Sequence, residues 1–123
     1  MKEFMMIFRS EADPNYQPTP EEMQSTIKEW QDWIGGIAAQ GKFIATNQLG
    51  FNGRVVKADS SFTDGPYTEM KEIVGGYLIA KCENLDEITA IAKECPTLKI
   101  NGNVEIREII EIPQDVKTML ETH

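Results

Sequence analysis

Five successive apolar residues, Phe4-Met5-Met6-Ile7-Phe8, open the chain, and in an extended backbone neighbouring side chains point to opposite faces. Phe4, Met6 and Phe8 therefore form one apolar face and Met5 and Ile7 the other. A strand apolar on both sides belongs inside a sheet covered on both sides. Residues 73–81 repeat the pattern, with Gly75-Gly76 leading into Tyr77-Leu78-Ile79-Ala80. The fold must then supply two covering layers, and this requirement limits it more than any other feature.

The segments between are readable from their punctuation. Strand 2–9 gives way to a polar loop, 10–19, with Asp13-Pro14 and Pro18. Thr19-Pro20-Glu21-Glu22 then starts a helix: a capping hydroxyl, a proline suited to the first turn, and a glutamate that completes a capping box. Met23, Ile27, Trp30, Ile34 and Ile37 form its apolar stripe, widened by Trp33 and Ala38, and Gly41 stops it. Gly35-Gly36 costs this helix about 1–2 kcal/mol relative to alanines, so a close packing partner is expected there. Strands 42–49 and 54–58 flank Gly50-Phe51-Asn52-Gly53, a hairpin signal. Residues 60–63 extend or add a strand before Asp64-Gly65-Pro66 breaks it. Asn84 caps a second helix with Leu85, Ile88, Ile91, Ala92 and Cys95 on one face, ended by Pro96. After Asn101-Gly102, the alternation of Val104, Ile106, Ile110 and Ile112 reads as a last strand, and 114–121 as a short helix.

The order is β-α-β-β-(β)-β-α-β. Without the extra hairpin it is the βαββαβ pattern of a ferredoxin-like α+β fold, in which both helices cover one face of an antiparallel sheet. The other face would remain a large apolar patch on a monomer. Two copies packed sheet to sheet cover it, so a homodimer is expected. The expected domain is 1–112, with a tail at 113–123.

With 123 residues, 41% hydrophobic and 26% charged, the chain suits one soluble domain. Twenty acidic against twelve basic residues give a net charge of −8, which disfavours nucleic acid and anionic membrane as partners. The N-terminal apolar run is too short for a signal peptide and no run suits a membrane helix, so a cytoplasmic location is expected. Cys82 and Cys95 fit no CxxC pattern and read as reduced, buried and structural. His123, the sole histidine, stands at the chain end, a poor place for a triad or a metal ligand. No dinucleotide, phosphate-loop or calcium motif occurs, and no cofactor or metal is expected. Any chemistry falls to carboxylates, Lys, Arg, Tyr or Ser/Thr.

The stretch from Phe62 through Thr63-Asp64-Gly65-Pro66-Tyr67-Thr68-Glu69-Met70-Lys71-Glu72-Ile73-Val74-Gly75-Gly76 to Tyr77 resembles the DGPF branch of the YCII-related domain family, with its TDGPF-x-E-x-KE-x-x-GG-[YF] block. Met5-Met6-Ile7-Phe8, Asn84-Leu85-Asp86-Glu87, Cys95-Pro96 and the run from Gly102 to Ile109 agree with other family segments. Tyr67 replaces the usual Phe and Glu108 the usual Pro. The resemblance spans the chain to about Ile110. It implies a dimeric α+β barrel, no common activity, and in the better-known YCII branch a His–Asp pair whose histidine has no internal counterpart here.

Asp64 heads the site candidates. The turn it opens has a purely architectural reading, since Asp, Gly and Pro all favour turns; the functional reading aims its carboxylate into a cleft as a general acid or base. Tyr67 is either core or a hydroxyl donor to a ligand. Glu69, Lys71 and Glu72 are a solvated charge run, or Glu69 and Lys71 form a pair lining the same cleft. Arg9, Arg54 and Arg107, the only arginines, pair with surplus carboxylates or receive an anionic ligand. Trp30 and Trp33 serve core or dimer packing, or an aromatic ligand wall. Gly75-Gly76 signals a bulge or a close approach, either to helix one through Gly35-Gly36 or to a ligand. The leading expectation is a small dimeric protein holding a small organic molecule beside the Asp64-Gly65-Pro66 turn, any reaction being a cofactor-free proton transfer or elimination. The rival is a non-catalytic regulatory or protein-interaction module.

Overall fold

A computed structural model describes residues 1–11, 17–64 and 72–121. Its main sheet has four strands: β1 (Lys2–Glu11), β2 (Phe43–Gln48), β5 (Glu72–Cys82) and β6 (Asn103–Glu108), ordered β2-β5-β1-β6 with all pairs antiparallel. The two strands apolar on both faces are thus the two central ones. Helices α1 (Pro20–Ala39) and α2 (Leu85–Ala92) follow β1 and β5, which gives the ferredoxin-like α+β arrangement expected. The remaining strands, β3 (Arg54–Val56) and β4 (Phe62–Asp64), form a separate two-stranded sheet. A short 3-10 turn, Pro96–Ile100, precedes β6, and α3 (Gln114–Glu121) follows it.

The core lies on the helix side of the sheet. Phe4, Met6 and Phe8 from β1 meet Leu78, Ala80 and Cys82 from β5, under Ile37 of α1 and Ile88 and Ala92 of α2. On the opposite face, register aligns Ala45, Ile79, Met5 and Arg107 in one row across the sheet and Asn47, Tyr77, Ile7 and Glu105 in the next. Met5, Ile7, Tyr77 and Ile79 there are half-buried. Both helix starts are capped as read: the Thr19 hydroxyl accepts from the Glu22 N–H at 3.1 Å, and the Asn84 side chain from the Glu87 N–H at 2.9 Å.

Four expectations need correction. The Asn52-Gly53 hairpin does not join β2 to β3; β3 turns at 57–61 and pairs with β4 instead. Asp59 supplies the reason, its carboxylate accepting both the backbone N–H and the hydroxyl of Ser61, while Ser60 takes a left-handed φ of 72°. Pro96 begins a 3-10 turn rather than ending α2, which stops at Ala92, and Leu85 stays 56% exposed. The last strand ends at Glu108 instead of reaching Ile112, after which one further bond, Ile109 N–H to the Glu3 carbonyl, holds the chain to β1. Finally, the α1 stripe buries only toward its C-terminus. Ile37 is buried, Trp30, Trp33 and Ile34 are half-buried, and Met23 and Ile27 are about half exposed.

Candidate functional site

A cavity of about 890 Å³ lies beneath the middle of α1, lined by helix residues between Thr26 and Gly35. Phe8, Ile27, Trp30 and Ile34 form its apolar wall, with Ile100 at one side. Ser10, Thr26, Gln31, Thr46, Gln48 and Thr97 supply neutral polar groups, Gly35, Gly75 and Gly76 leave backbone exposed to it, and Asn47 also lines it although its amide is engaged with Tyr77 on the opposite face. None of these described lining residues carries a charge. Alternation along β1 explains why: Phe8 and Ser10 face the cavity, whereas Arg9 between them points to the other side of the sheet.

Three aromatic rings fix the apolar wall. Phe8 contacts Trp30 edge to face at 5.1 Å and Trp33 at 5.8 Å, and the two indoles are 5.6 Å apart. The Trp33 indole N–H donates to the Ile91 carbonyl at 3.0 Å, anchoring that ring to α2. On the sheet side the Thr46 hydroxyl donates to the Tyr77 carbonyl at 2.8 Å, while on the opposite face of the sheet the Asn47 amide donates to the Tyr77 hydroxyl at 2.9 Å.

The two strand glycines have separate causes. Between Phe8↔Gly76 and Arg9↔Val74 the register skips Gly75, which is the extra residue of a β-bulge. A Cβ on Gly76 would lie 2.7 Å from the Asn47 carbonyl oxygen, so close approach of β2 requires this glycine. Gly35 and Gly36 do not meet the sheet glycines: a Cβ at either touches nothing within 4 Å. The expected glycine-to-glycine packing is replaced by open space.

Asp64 lies elsewhere, at the end of β4. Its carboxylate pairs with the Arg54 guanidinium at 3.0 Å, with side chains 79% and 63% exposed. Arg54 also sits 4.5 Å above the Phe62 ring. Together with Phe51, Asn52 and Gly53 the pair lines an open cleft of about 720 Å³. Tyr67, Glu69 and Lys71 lie outside the described residues. Arg9 binds Glu105 at 3.2 Å on the open face of the main sheet, and Glu105 also holds Arg107 at 3.4 Å. The three arginines thus divide between two sheets and do not converge.

The YCII-related domain model matches residues 4–113. The chain belongs to the YCII-related domain family. None of the curated proteins matches it. Among solved structures, it is similar to a 5-chloro-2-hydroxyhydroquinone dehydrochlorinase from Burkholderia phenoliruptrix in complex with 2,5-dihydroxybenzoquinone. That match has 15% identity and a TM-score of 0.46, over 91% of this chain and 97% of the other.

Among its described residues this YCII-related protein presents a cleft beneath α1 besides the one beside Asp64 to which the sequence pointed. The residues that sequence reasoning missed are the neutral ones, Ser10, Thr26, Gln31, Thr46, Asn47 and Gln48. They fall at a loop start, on a helix flank and along an edge strand, with no motif linking them. Trp30 was named as a wall candidate, and it does line the cavity. Away from both clefts, Lys42 and Glu87 form a 2.8 Å ion pair. Hydrogen bonding to Lys42 lowers the Glu87 carboxyl below its ordinary range, and the same bond raises the Lys42 amine. Among the described residues no group of three or more His, Cys, Asp or Glu could hold a metal, and no helix is long and apolar enough to cross a membrane.

Proposed function

We propose that this YCII-related protein binds a small organic molecule in the cavity beneath α1, and does so as a homodimer joined through the open face of the main sheet. The observation that carries the first part is the cavity: about 890 Å³, an aromatic wall, and several neutral hydrogen-bonding groups converging from β1, β2 and α1. Ligand sites of this kind are concave, mainly apolar and marked by a few placed polar groups. Supporting the second part is the surface of Met5, Ile7, Tyr77 and Ile79, which the chain's own helices leave uncovered.

A second reading places chemistry at the hairpin, where Arg54 and Asp64 line the other cleft. Asp64 is there the proton-transferring carboxylate, with Arg54 as a candidate anion contact and Tyr67, Glu69 and Lys71 as candidate ligand contacts; Arg9, paired with Glu105 on the main sheet, is set apart from this cleft. The exposure of Asp64 counts against this second reading. Acid–base catalysis gains from a carboxyl withdrawn from water, whereas the Asp64 side chain is mostly exposed and ion-paired. The remaining alternative is a non-catalytic regulatory or protein-interaction module that meets a basic partner through its acidic surface.

Amide correlation spectra recorded against a small-molecule fragment set test the assignment. Binders should shift the Trp30 indole signal and the backbone signals of Thr46, Asn47 and Gln48. Shifts confined to Asn52, Gly53, Arg54 and Asp64 would move the site to the hairpin.

A further inference from the structure

We propose that the cavity beneath α1 is shaped for an uncharged, flat aromatic molecule, admitted by the missing side chains of Gly35 and Gly75; this rests on the cavity reading above.

Glycine inside a helix is unfavourable unless packing or backbone geometry demands it. Neither demand exists at Gly35. A Cβ there would meet nothing within 4 Å, and only Gly41 among the described glycines has a positive φ. Gly75 repeats the pattern in the sheet. It occupies the bulge, its φ is not positive, and a Cβ there also meets nothing within 4 Å. Both residues line the cavity, one from the helix and one from the sheet. What a side chain at either position would fill is ligand space.

The lining sets the ligand's charge. No ionisable group is among the described lining residues, and the nearby charges of α1 are engaged outside it, Lys28 with Asp32 and Glu29 with Lys99. Among the described residues an ion placed there has no counter-ion, and an unpaired buried ion carries a large desolvation cost. An anion would in addition enter the field of a chain of charge −8. Neutral donors and acceptors are instead abundant. The carboxamides of Gln31 and Gln48 make no hydrogen bond with other described residues, so both can serve a hydroxyl or carbonyl. Ring shape follows from the Phe8–Trp30 wall, since aromatic faces gain most from another aromatic ring.

Calorimetric titration with three probes of similar size separates the possibilities: 2-naphthol (flat, uncharged), 2-naphthoate (flat, anionic) and decahydro-2-naphthol (uncharged, not flat). The wild-type protein should bind 2-naphthol about tenfold or more tightly than either of the others. Gly35→Leu should weaken 2-naphthol at least about tenfold, as the side chain enters the cavity. Gly35→Ala should raise the melting temperature by roughly a few degrees while still weakening binding. Gly36→Ala, also open but outside the lining, should raise it and leave binding unchanged. Equal binding of all three probes, each lost in Gly35→Leu, overturns the ligand class and leaves the cavity reading standing. Absence of 2-naphthol binding, or binding indifferent to Gly35→Leu, overturns both.

Discussion

A methyl group on Gly102 would lie 2.5 Å from the Arg9 carbonyl oxygen and 2.8 Å from that of Thr97. These are backbone atoms and cannot step aside, so Gly102→Ala should cost about 1–3 kcal/mol in a urea melt. The two cysteines make a different single-residue case. Both are free and buried; burial pushes the Cys82 thiol up, reinforced by Glu87, and burial also raises Cys95, opposed by its hydrogen bonds with Thr97. Since the thiolate is the reactive form, neither should react with a thiol reagent at pH 8 until the protein is denatured. Rapid labelling of the native protein would contradict this. For Lys42–Glu87 the signs run in opposite directions. The lowered Glu87 carboxyl stabilises the fold above its unfolded pKa, and this is lost as pH falls from about 4.3 through the lower folded value. The raised Lys42 amine stabilises below its unfolded pKa and loses its share as pH climbs past about 10.4. Glu87→Gln should therefore flatten the acid limb of a stability–pH curve and remove the alkaline one as well. At this scale the sequence was legible where a residue's chemistry is self-contained, as at the buried thiols. It was not legible at Asp64, whose partner Arg54 is chosen by a strand pairing that local signals did not predict.

Elements were readable where local signals agreed. Thr19 and Asn84 cap as their sequence contexts demand, and Thr19→Ala should lower stability by about 1 kcal/mol, checked by thermal melting. The α3 bounds were also visible, because Pro113 and a short amphipathic run leave few alternatives. Signals that compete over distance misled. Asn52-Gly53 has the composition of a hairpin turn, but Asp59 and Ser61 hold a turn of their own seven to nine residues further on, and β3 follows that one. The α1 stripe shows the complementary limit. Its spacing says which side chains share a face, not how near the sheet lies, so Met23 and Ile27 look like core and are half exposed. The cavity lies beneath this helix, and no periodicity could have announced it.

For the whole molecule the two doubly apolar strands return as the decisive feature. One face of the sheet is buried by α1 and α2, while on the other Met5, Ile7, Tyr77 and Ile79 are half-buried, with no covering layer among the described residues. Charged residues lie beside this apolar centre rather than within it: Arg9, Glu105 and Arg107 ion-pair along its β6 side. An apolar middle with a polar rim is the anatomy of a protein–protein contact, and a two-fold axis through the face would set each copy's centre against the other's. The charge of −8 per chain opposes association, and more strongly at low salt. Apolar burial must then outweigh the repulsion, so raising the salt concentration should strengthen the proposed dimer. Sedimentation velocity at micromolar concentration should show a dimer for the wild-type chain and a monomer for Ile7→Glu, whose carboxylate would be buried unpaired near Glu105. Because Ile7 points away from the helix side, the Ile7→Glu monomer should keep its affinity for 2-naphthol. A folded wild-type monomer at that concentration would sink the sheet-to-sheet pairing while leaving the cavity untouched.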